Sequence, residues 1–270
     1  MKVTSTSIEM PAITSTQRKL KKLYRFNIVM ACLHFLQGVA LLFASSSFNL
    51  PVTTAYVQMD PIRNMLVPVL KTIADIQIGP LVAGFFFLSA FAHFAVSCLP
   101  TVRAWYENNL KKGMNLARWI EYAFSSSLMI VIVVMLTGMA DLSSLLLIFF
   151  LNMMMLLFGW MMELHNQTTK RTDWTSFIFG SIAGFVPWLI VAFYLFGSGG
   201  PNGHAPTFVY WIFFSIFLFF NCFAINMVLQ YKKIGKWKDY LYGERAYIIL
   251  SLVAKSLLAW QVFAGTLRPV

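Results

Sequence analysis

The sequence predicts an all-α membrane protein, folded as a seven-transmembrane helix bundle. Of its 270 residues, 59% are apolar and only 11% are charged, and the mean hydropathy is +0.69. The apolar residues recur in blocks of about 20, the length that an α-helix needs to cross a bilayer. The charged residues collect between these blocks. A soluble domain of this size could not bury so much apolar surface.

Seven spans account for most of the chain. We expect one helical domain over residues 26–267, preceded by a polar arm over residues 1–25, and no internal repeat or second domain is evident. To within a few residues, the spans cover 26–43, 78–99, 116–137, 142–162, 174–196, 207–229 and 246–267.

The connections between the spans differ in length and composition. Residues 44–77, after the first span, form much the longest one. Its segment 51–58 is rich in β-branched and aromatic residues, which predicts a short hairpin or strand pair. The connection after the third span is very short, so the third and fourth spans are expected to be antiparallel neighbours.

The distribution of lysine and arginine predicts the orientation. Seventeen of the 21 lie on the side of the N-terminus and three on the other side, while Lys255 lies within a span. The positive-inside rule then places the N-terminus in the cytoplasm and the C-terminus outside the cell. We interpret the basic clusters as topology signals and contacts with anionic lipids, not as a nucleic-acid site. The chain is thus expected to be a multi-pass protein of the cell membrane. The three basic residues on the outer side are Arg63, Lys71 and Arg268.

One lysine and one carboxylate are predicted inside the bilayer. Lys255 lies in the middle of the seventh span, where a charge costs roughly 2.5–3.5 kcal/mol on insertion scales. All acidic residues except Glu121, in the third span, are assigned to loops or span ends. At a rise of 1.5 Å per residue, Glu121 lies about 8 Å and Lys255 about 12–14 Å from the same face. We therefore expect the two side chains to pair.

Further polar and aromatic side chains accompany this pair. Polar residues spaced three or four apart lie on one face of a helix, and such faces turn toward the bundle interior because lipid cannot hydrogen-bond them. They suggest a small hydrogen-bonded pocket around the lysine. The polar candidates are Ser251, Ser125, Ser89, His93, His34, Gln37 and Asn152, and the aromatic candidates are Trp119, Phe220 and Trp260.

Three interpretations of the pocket are open on these residues alone. Lys255 and Glu121 could form a structural ion pair, with the polar side chains joining helices. A transporter site is a second option, but broken helices in paired halves are typical of transporters. Here only the fifth span is interrupted, by Gly180, Gly184 and Pro187. The third interpretation is a lysine that binds a chromophore aldehyde, because a lysine in a seventh helix facing a third-helix carboxylate resembles the arrangement in retinal proteins.

The sequence resembles the heliorhodopsins in five stretches spread over most of the predicted bundle. The last span carries the most specific of them. The stretches are Leu-His-Phe-Leu-Gln at 33–37, Leu-Ser-Ala-Phe-Ala-His-Phe at 88–94, Arg-Trp-Ile-Glu-Tyr-Ala-Phe-Ser-Ser-Ser at 118–127, Leu-Phe-Gly-Trp at 157–160 and Gly-Glu-Arg-Ala-Tyr-Ile-Ile-Leu-Ser-Leu-Val-Ala-Lys-Ser-Leu-Leu-Ala-Trp-Gln at 243–261.

The resemblance implies a light-sensing photoreceptor in the inverted orientation, in agreement with the charge distribution. It implies that Lys255 carries all-trans retinal as a Schiff base and that Glu121 is its counterion. It also implies polar neighbours for the Schiff base, a homodimer and a β-structured loop after the first helix. The implied polar neighbours are Ser251, Ser89, His34 and His93.

We expect signalling, through a cytoplasmic partner that the sequence does not identify, and not ion pumping. The positions four and eleven residues after Glu121 are Ser125 and Ile132, so the third span offers no second carboxylate to return a proton. A light-gated ion channel or transporter is the alternative. An enzyme is not expected, because no metal cluster or nucleophile–base pair is predicted at membrane depth.

Overall fold

The computed structural model describes residues 15–197 and 203–267. Lys2, Glu9 and Arg268, which enter the sequence argument, lie outside these ranges. Eight α-helices and one two-stranded sheet are found in the described part. The helices are α1 (Ser15–Ala44), α2 (Ile78–Cys98), α3 (Pro100–Lys111), α4 (Leu116–Leu136), α5 (Leu142–His165), α6 (Thr175–Gly197), α7 (Thr207–Tyr231) and α8 (Tyr240–Val262), and the strands are β1 (Asn49–Asp60) and β2 (Met65–Gln77).

Seven helices in the described ranges are long and apolar enough to cross a membrane, namely all except α3. The seven predicted spans are therefore confirmed as helices. A π-helical turn at Phe263–Leu267 prolongs α8 and completes the last span. Helix α4 packs against α2, α5, α6 and α7, so it occupies the middle of the bundle.

Helix α1 begins well before the predicted first span. Its first turns are basic on one face, whereas Leu20, Leu23 and Tyr24 are buried on the other. These residues cluster with Tyr106 and Leu110 of α3. The polar arm was not expected to be helical because its basic residues hide this short apolar stripe.

Helix α3 was not predicted, because the sequence analysis assigned residues 100–115 to a connection. The helix begins at Pro100, a residue that favours the first helical turn. It is amphipathic, with Tyr106 and Leu110 buried and charged residues on the other side. Glu107 accepts hydrogen bonds from Lys111 and from Tyr24, both at 2.8 Å, and these lower the pKa of its carboxyl.

The predicted hairpin is confirmed and is longer than residues 51–58. Strands β1 and β2 pair antiparallel along their whole length, with a bulge at Val52 and Thr53. In the turn, the carboxylate of Asp60 accepts hydrogen bonds from the backbone of Ile62 and Arg63. The Thr53 amide donates to the carbonyl of Ala140 at 2.8 Å, which fixes the hairpin to the short turn between α4 and α5.

The turn between α4 and α5 also supplies the residue that caps the N-terminus of α5. The Asp141 carboxylate caps the helix by accepting hydrogen bonds from the backbone amide and the hydroxyl of Ser144, both at 2.8 Å. These bonds lower the pKa of Asp141. The main hydrophobic core lies between the helices on this half of the bundle, with fully buried side chains that include Phe85, Ile130 and Leu258.

Candidate functional site: a buried lysine at the end of an apolar cavity

Lys255 is buried at the centre of a polar cluster. Its side chain is 3% exposed, and its Nζ atom donates hydrogen bonds to Oε1 of Glu121 at 2.7 Å and to Oγ of Ser89 at 2.6 Å. A third bond reaches Oγ of Ser251 at 3.0 Å. Glu121, Ser89 and Ser251, three of the residues predicted to surround this amine, thus lie within hydrogen-bond distance of it.

Three helices supply this cluster, each for a local reason. Ser251 precedes Lys255 by four residues on α8, so both project from the same helical face. Glu121 comes from α4 and Ser89 from α2, two helices that pack directly against each other. The Ser89 hydroxyl donates to Glu121 at 2.6 Å. The carboxylate is therefore oriented by a neighbour as well as by the lysine.

The two histidines form a stacked pair between α1 and α2. The rings of His34 and His93 lie 5.5 Å apart and 10° from parallel. Nδ1 of His93 lies 2.7 Å from Oδ1 of Asn27, an asparagine that the sequence analysis did not select. Both ring nitrogens of the buried His34 lack a hydrogen-bond partner in the described residues. His93 and Glu121 also line a small cavity of about 40 Å³, enough for about one water molecule.

A large cavity begins at Lys255 and extends between α4, α5, α6, α7 and α8. Its volume is about 730 Å³, which lies within the range of small-molecule sites. Of the predicted residues, Lys255, Ser251, Ser125, Trp119 and Phe220 line it. Sequence reasoning missed several of its aromatic walls, because phenylalanine is abundant on every side of the helices. The missed walls include Tyr122, Phe177, Trp188, Phe217, Phe223 and Tyr247.

Asn152, Trp260 and Gln37 lie neither in the amine cluster nor on the wall of the large cavity. Asn152 is buried and donates to the hydroxyls of Ser126 and Ser127 at 2.9 and 3.1 Å, so it joins α5 to α4. Trp260 is 41% exposed on the outside of the bundle, where its indole N–H donates to Gln37 at 3.1 Å. Trp260 shares a helix with Lys255 but points away from the amine.

Small residues keep the cavity open. A Cβ atom added at Gly159 would collide with the indole ring of Trp119, and one at Gly184 would collide with the Met155 side chain. A mostly apolar and aromatic space that includes a primary amine in its wall fits a polyene aldehyde. Polar side chains surround the amine, where an aldehyde carbon must arrive.

A second buried charge cluster corrects the prediction that Glu121 is the only carboxylate within a span. Glu163 lies in the last turns of α5 and Glu244 in the first turns of α8, so both are inside spanning helices. Arg118 forms ion pairs with both, at 2.6 Å to Glu163 and more closely to Glu244. Asn115 donates to Glu244 at 2.5 Å. The prediction failed because both helices extend further than the apolar blocks.

Comparison with known proteins also indicates a site for a polyene aldehyde. No curated protein matches the chain. A protein-family model described as heliorhodopsin matches residues 23–267, a range that contains the whole amine cluster and every residue of the large cavity. Heliorhodopsins are retinal-binding, light-sensing rhodopsins. Because the match covers nearly all of its length, the chain belongs to the heliorhodopsin family.

Proposed function

We propose that Lys255 binds all-trans retinal as a protonated Schiff base, that Glu121 is the counterion, and that the protein signals in response to light. The observation that carries this proposal is the position of Lys255, whose Nζ ends the large cavity and lies 2.7 Å from Glu121. When bound, retinal would supply light absorption and a change of shape by isomerisation.

The residues around Nζ would hold its positive charge in place. In a site with little water, an unpaired charge is costly, and a carboxylate at hydrogen-bond distance offsets that cost. Ser89 and Ser251 add two hydroxyl oxygens on the same nitrogen. Three acceptor oxygens therefore surround the nitrogen, which supports a positive charge on it in the resting state.

A proton that leaves this nitrogen has acceptors close by. Separation of Nζ from Glu121 would leave two buried charges unpaired, and transfer of a proton removes both charges. Glu121 and His93 share the small cavity, and His93 stacks on His34. A neutral imidazole has one ring nitrogen that can accept a proton. We propose that the proton stays among these groups.

Signalling is favoured over pumping by the state of the other carboxylates. Glu163 and Glu244 are both bound to Arg118, so neither is a free donor in the resting protein. The output would pass to a cytoplasmic partner. We also propose a homodimer, from the family assignment, and a mass measurement in detergent tests that state.

The proposed orientation places residues 1–25 in the cytoplasm, ahead of the retinal-binding domain of residues 26–267, with the protein in the cell membrane. The uneven distribution of basic residues supports it. The hairpin turn then lies outside. In a cysteine-free background, an Asn64→Cys variant is expected to react with an impermeant maleimide on intact cells, and labelling only after permeabilisation would reverse the orientation.

The binding proposal is tested by the colour of the protein. Protein made without retinal is incubated with all-trans retinal, and a visible absorption band is expected to form. Lys255→Ala should abolish the band because no other lysine in the described ranges lines the cavity, while Lys111→Ala, which changes an exposed lysine of α3, should retain it. A band that persists in purified Lys255→Ala protein would remove this lysine from the proposal.

A further inference from the structure

An asparagine lies on the lipid-facing surface in the middle of α7. Asn221 is exposed, and its amide nitrogen donates one hydrogen bond to the Phe217 carbonyl at 2.8 Å. Its Oδ1 atom and its second N–H have no protein partner in the part of the chain that the structure describes. Hydrocarbon cannot satisfy these groups, so polar side chains in spans usually face the protein interior. The position therefore calls for a polar partner from outside the chain.

The same asparagine lines the large cavity, together with Ser181 of α6. Ser181 is also exposed, and its hydroxyl donates to the Phe177 carbonyl at 2.8 Å, which leaves the hydroxyl oxygen free to accept. The cavity-lining residues Ile178, Ile182 and Phe185 are exposed as well. Because all five lie on α6 and α7, the cavity reaches the lipid-facing surface at these two helices, and two polar groups stand at its opening.

One side of this opening is formed by α6, which is not a main packing neighbour of α8. Helix α8, which carries Lys255, packs on α1, α2 and α7, whereas α6 packs on α4, α5 and α7. Helix α6 is therefore across the bundle from the lysine. A long molecule attached at Lys255 would extend toward Ser181 and Asn221.

We propose that the pocket takes a retinal-class aldehyde that bears a hydroxyl group on its ring, and that Asn221 and Ser181 bind this hydroxyl. The ligand O–H can donate to Oδ1 of Asn221 or to Oγ of Ser181, and its oxygen can accept the second N–H of Asn221. This inference rests on the proposed binding of an aldehyde at Lys255. It adds to that proposal a preference for a hydroxylated aldehyde over plain retinal, exerted by Asn221 and Ser181 in the same cavity.

The experiment is a competition between two aldehydes. Retinal-free protein is incubated with an equimolar mixture of all-trans retinal and all-trans 3-hydroxyretinal, and the bound aldehydes are extracted and quantified. The wild-type protein is expected to retain the hydroxylated aldehyde in roughly three- to tenfold excess, the range that one net hydrogen bond provides. Asn221→Leu should bring the ratio close to one while still forming pigment with plain retinal.

Two further variants separate the subsite from general effects. Ser181→Ala should lower the ratio in the same direction and covers the case in which Asn221→Leu does not fold. Leu218→Ala, on the exposed face of α7 but away from the cavity, should keep the wild-type ratio.

The outcomes distinguish this inference from the proposed function. Plain retinal that forms pigment without any preference in the wild-type protein overturns the hydroxyl subsite alone. Failure of both aldehydes to form pigment overturns the proposed function and, with it, the subsite. An Asn221→Leu variant with an unchanged ratio but an altered oligomer mass also overturns the subsite, and assigns the asparagine to a contact between copies of the chain.

Discussion

The carboxylate of Glu121 lies 2.7 Å from Nζ of Lys255, and both side chains are almost closed to water. At this separation and in a low dielectric, a negative charge strongly favours positive charge on the lysine nitrogen. In the ground state of the proposed pigment, the positive charge stays near the nitrogen, whereas in the excited state it spreads along the polyene. The negative charge of Glu121 therefore stabilises the ground state more than the excited state.

Glu121→Gln is therefore expected to shift the absorption band to longer wavelength. The glutamine keeps the size of the side chain and removes its charge. Absorption spectra of purified pigments measure the shift, and Glu107→Gln, which changes a carboxylate on the surface of α3, should leave the band in place. An unshifted band in Glu121→Gln would show that another group balances the charge.

Arg118 is predicted to be a main determinant of stability. It holds Glu163 and Glu244 in a buried cluster and also stacks on the ring of Tyr247 at 3.9 Å. Arg118→Met leaves two carboxylates unpaired, and losing one partner of a buried pair costs roughly 3–5 kcal/mol. Thermal unfolding followed by circular dichroism should show a large loss of stability.

A matched surface change and a charge-free variant control this prediction. Lys111→Met breaks an exposed pair with Glu107 and should cost at most about 1 kcal/mol. Adding Glu163→Gln and Glu244→Gln to Arg118→Met should recover part of the stability, because no charge then remains buried in this cluster. Equal stability of Arg118→Met and Lys111→Met would contradict the role of the cluster.

The sequence predicts the charged part of the site better than its apolar part. A lysine in an apolar span is rare and costly, so Lys255 and its partner Glu121 are recognisable without a structure. Trp260 is one of the aromatic candidates of the predicted pocket, although it faces outward. In a helix that is apolar on all sides, composition does not indicate which aromatic residue faces the interior.

At the scale of the elements, the contact of α4 with α5 depends on a glycine, which has no side chain. Gly159 on α5 lies against the Trp119 indole, and an added Cβ would overlap with that ring. Because an indole ring is rigid, it must move as a unit, and overpacking of this kind typically costs about 1–3 kcal/mol. Trp119 also lines the large cavity, so its displacement changes the space for the chromophore.

Gly159→Ala is predicted to lower thermal stability and to slow or shift pigment formation with added retinal. Gly84→Ala on α2 is the matched control, since its new Cβ would meet only Leu128 at 3.5 Å, an ordinary contact. That substitution should be neutral or stabilising, because alanine is favoured over glycine in helices by about 1 kcal/mol. If both variants behave alike, close packing at Trp119 is not what requires the glycine.

Element boundaries depend on contacts that a hydropathy pattern does not contain. The seven apolar blocks predict the spans because each has about the length of a bilayer crossing. The basic start of α1 and the whole of α3 are helical because each covers the other's narrow apolar stripe. The polar ends of α5 and α8 enter the bundle because Arg118 pairs with their carboxylates. To predict these three features, one would have to know which segments pack against each other.

At the scale of the whole molecule, the buried charges form two separate groups. One contains Lys255 and Glu121, and the other contains Arg118 with Glu163 and Glu244. The small cavity lies between them and is lined by Glu121, Arg118 and Glu244. In the proposed pigment, a proton released at Lys255 would thus meet His93 and this cavity first, and beyond them carboxylates that are already paired.

We therefore predict that light drives no sustained proton transport across the membrane. Cells that express the protein and show its visible band are illuminated while the external pH is recorded, and no lasting change is expected. Patch-clamp recording of the same cells should likewise show no steady photocurrent, which addresses the alternative of a light-gated channel. A lasting pH change that a protonophore abolishes would mean that a carboxylate of the Arg118 cluster, or another group, exchanges protons with the lysine during the photocycle.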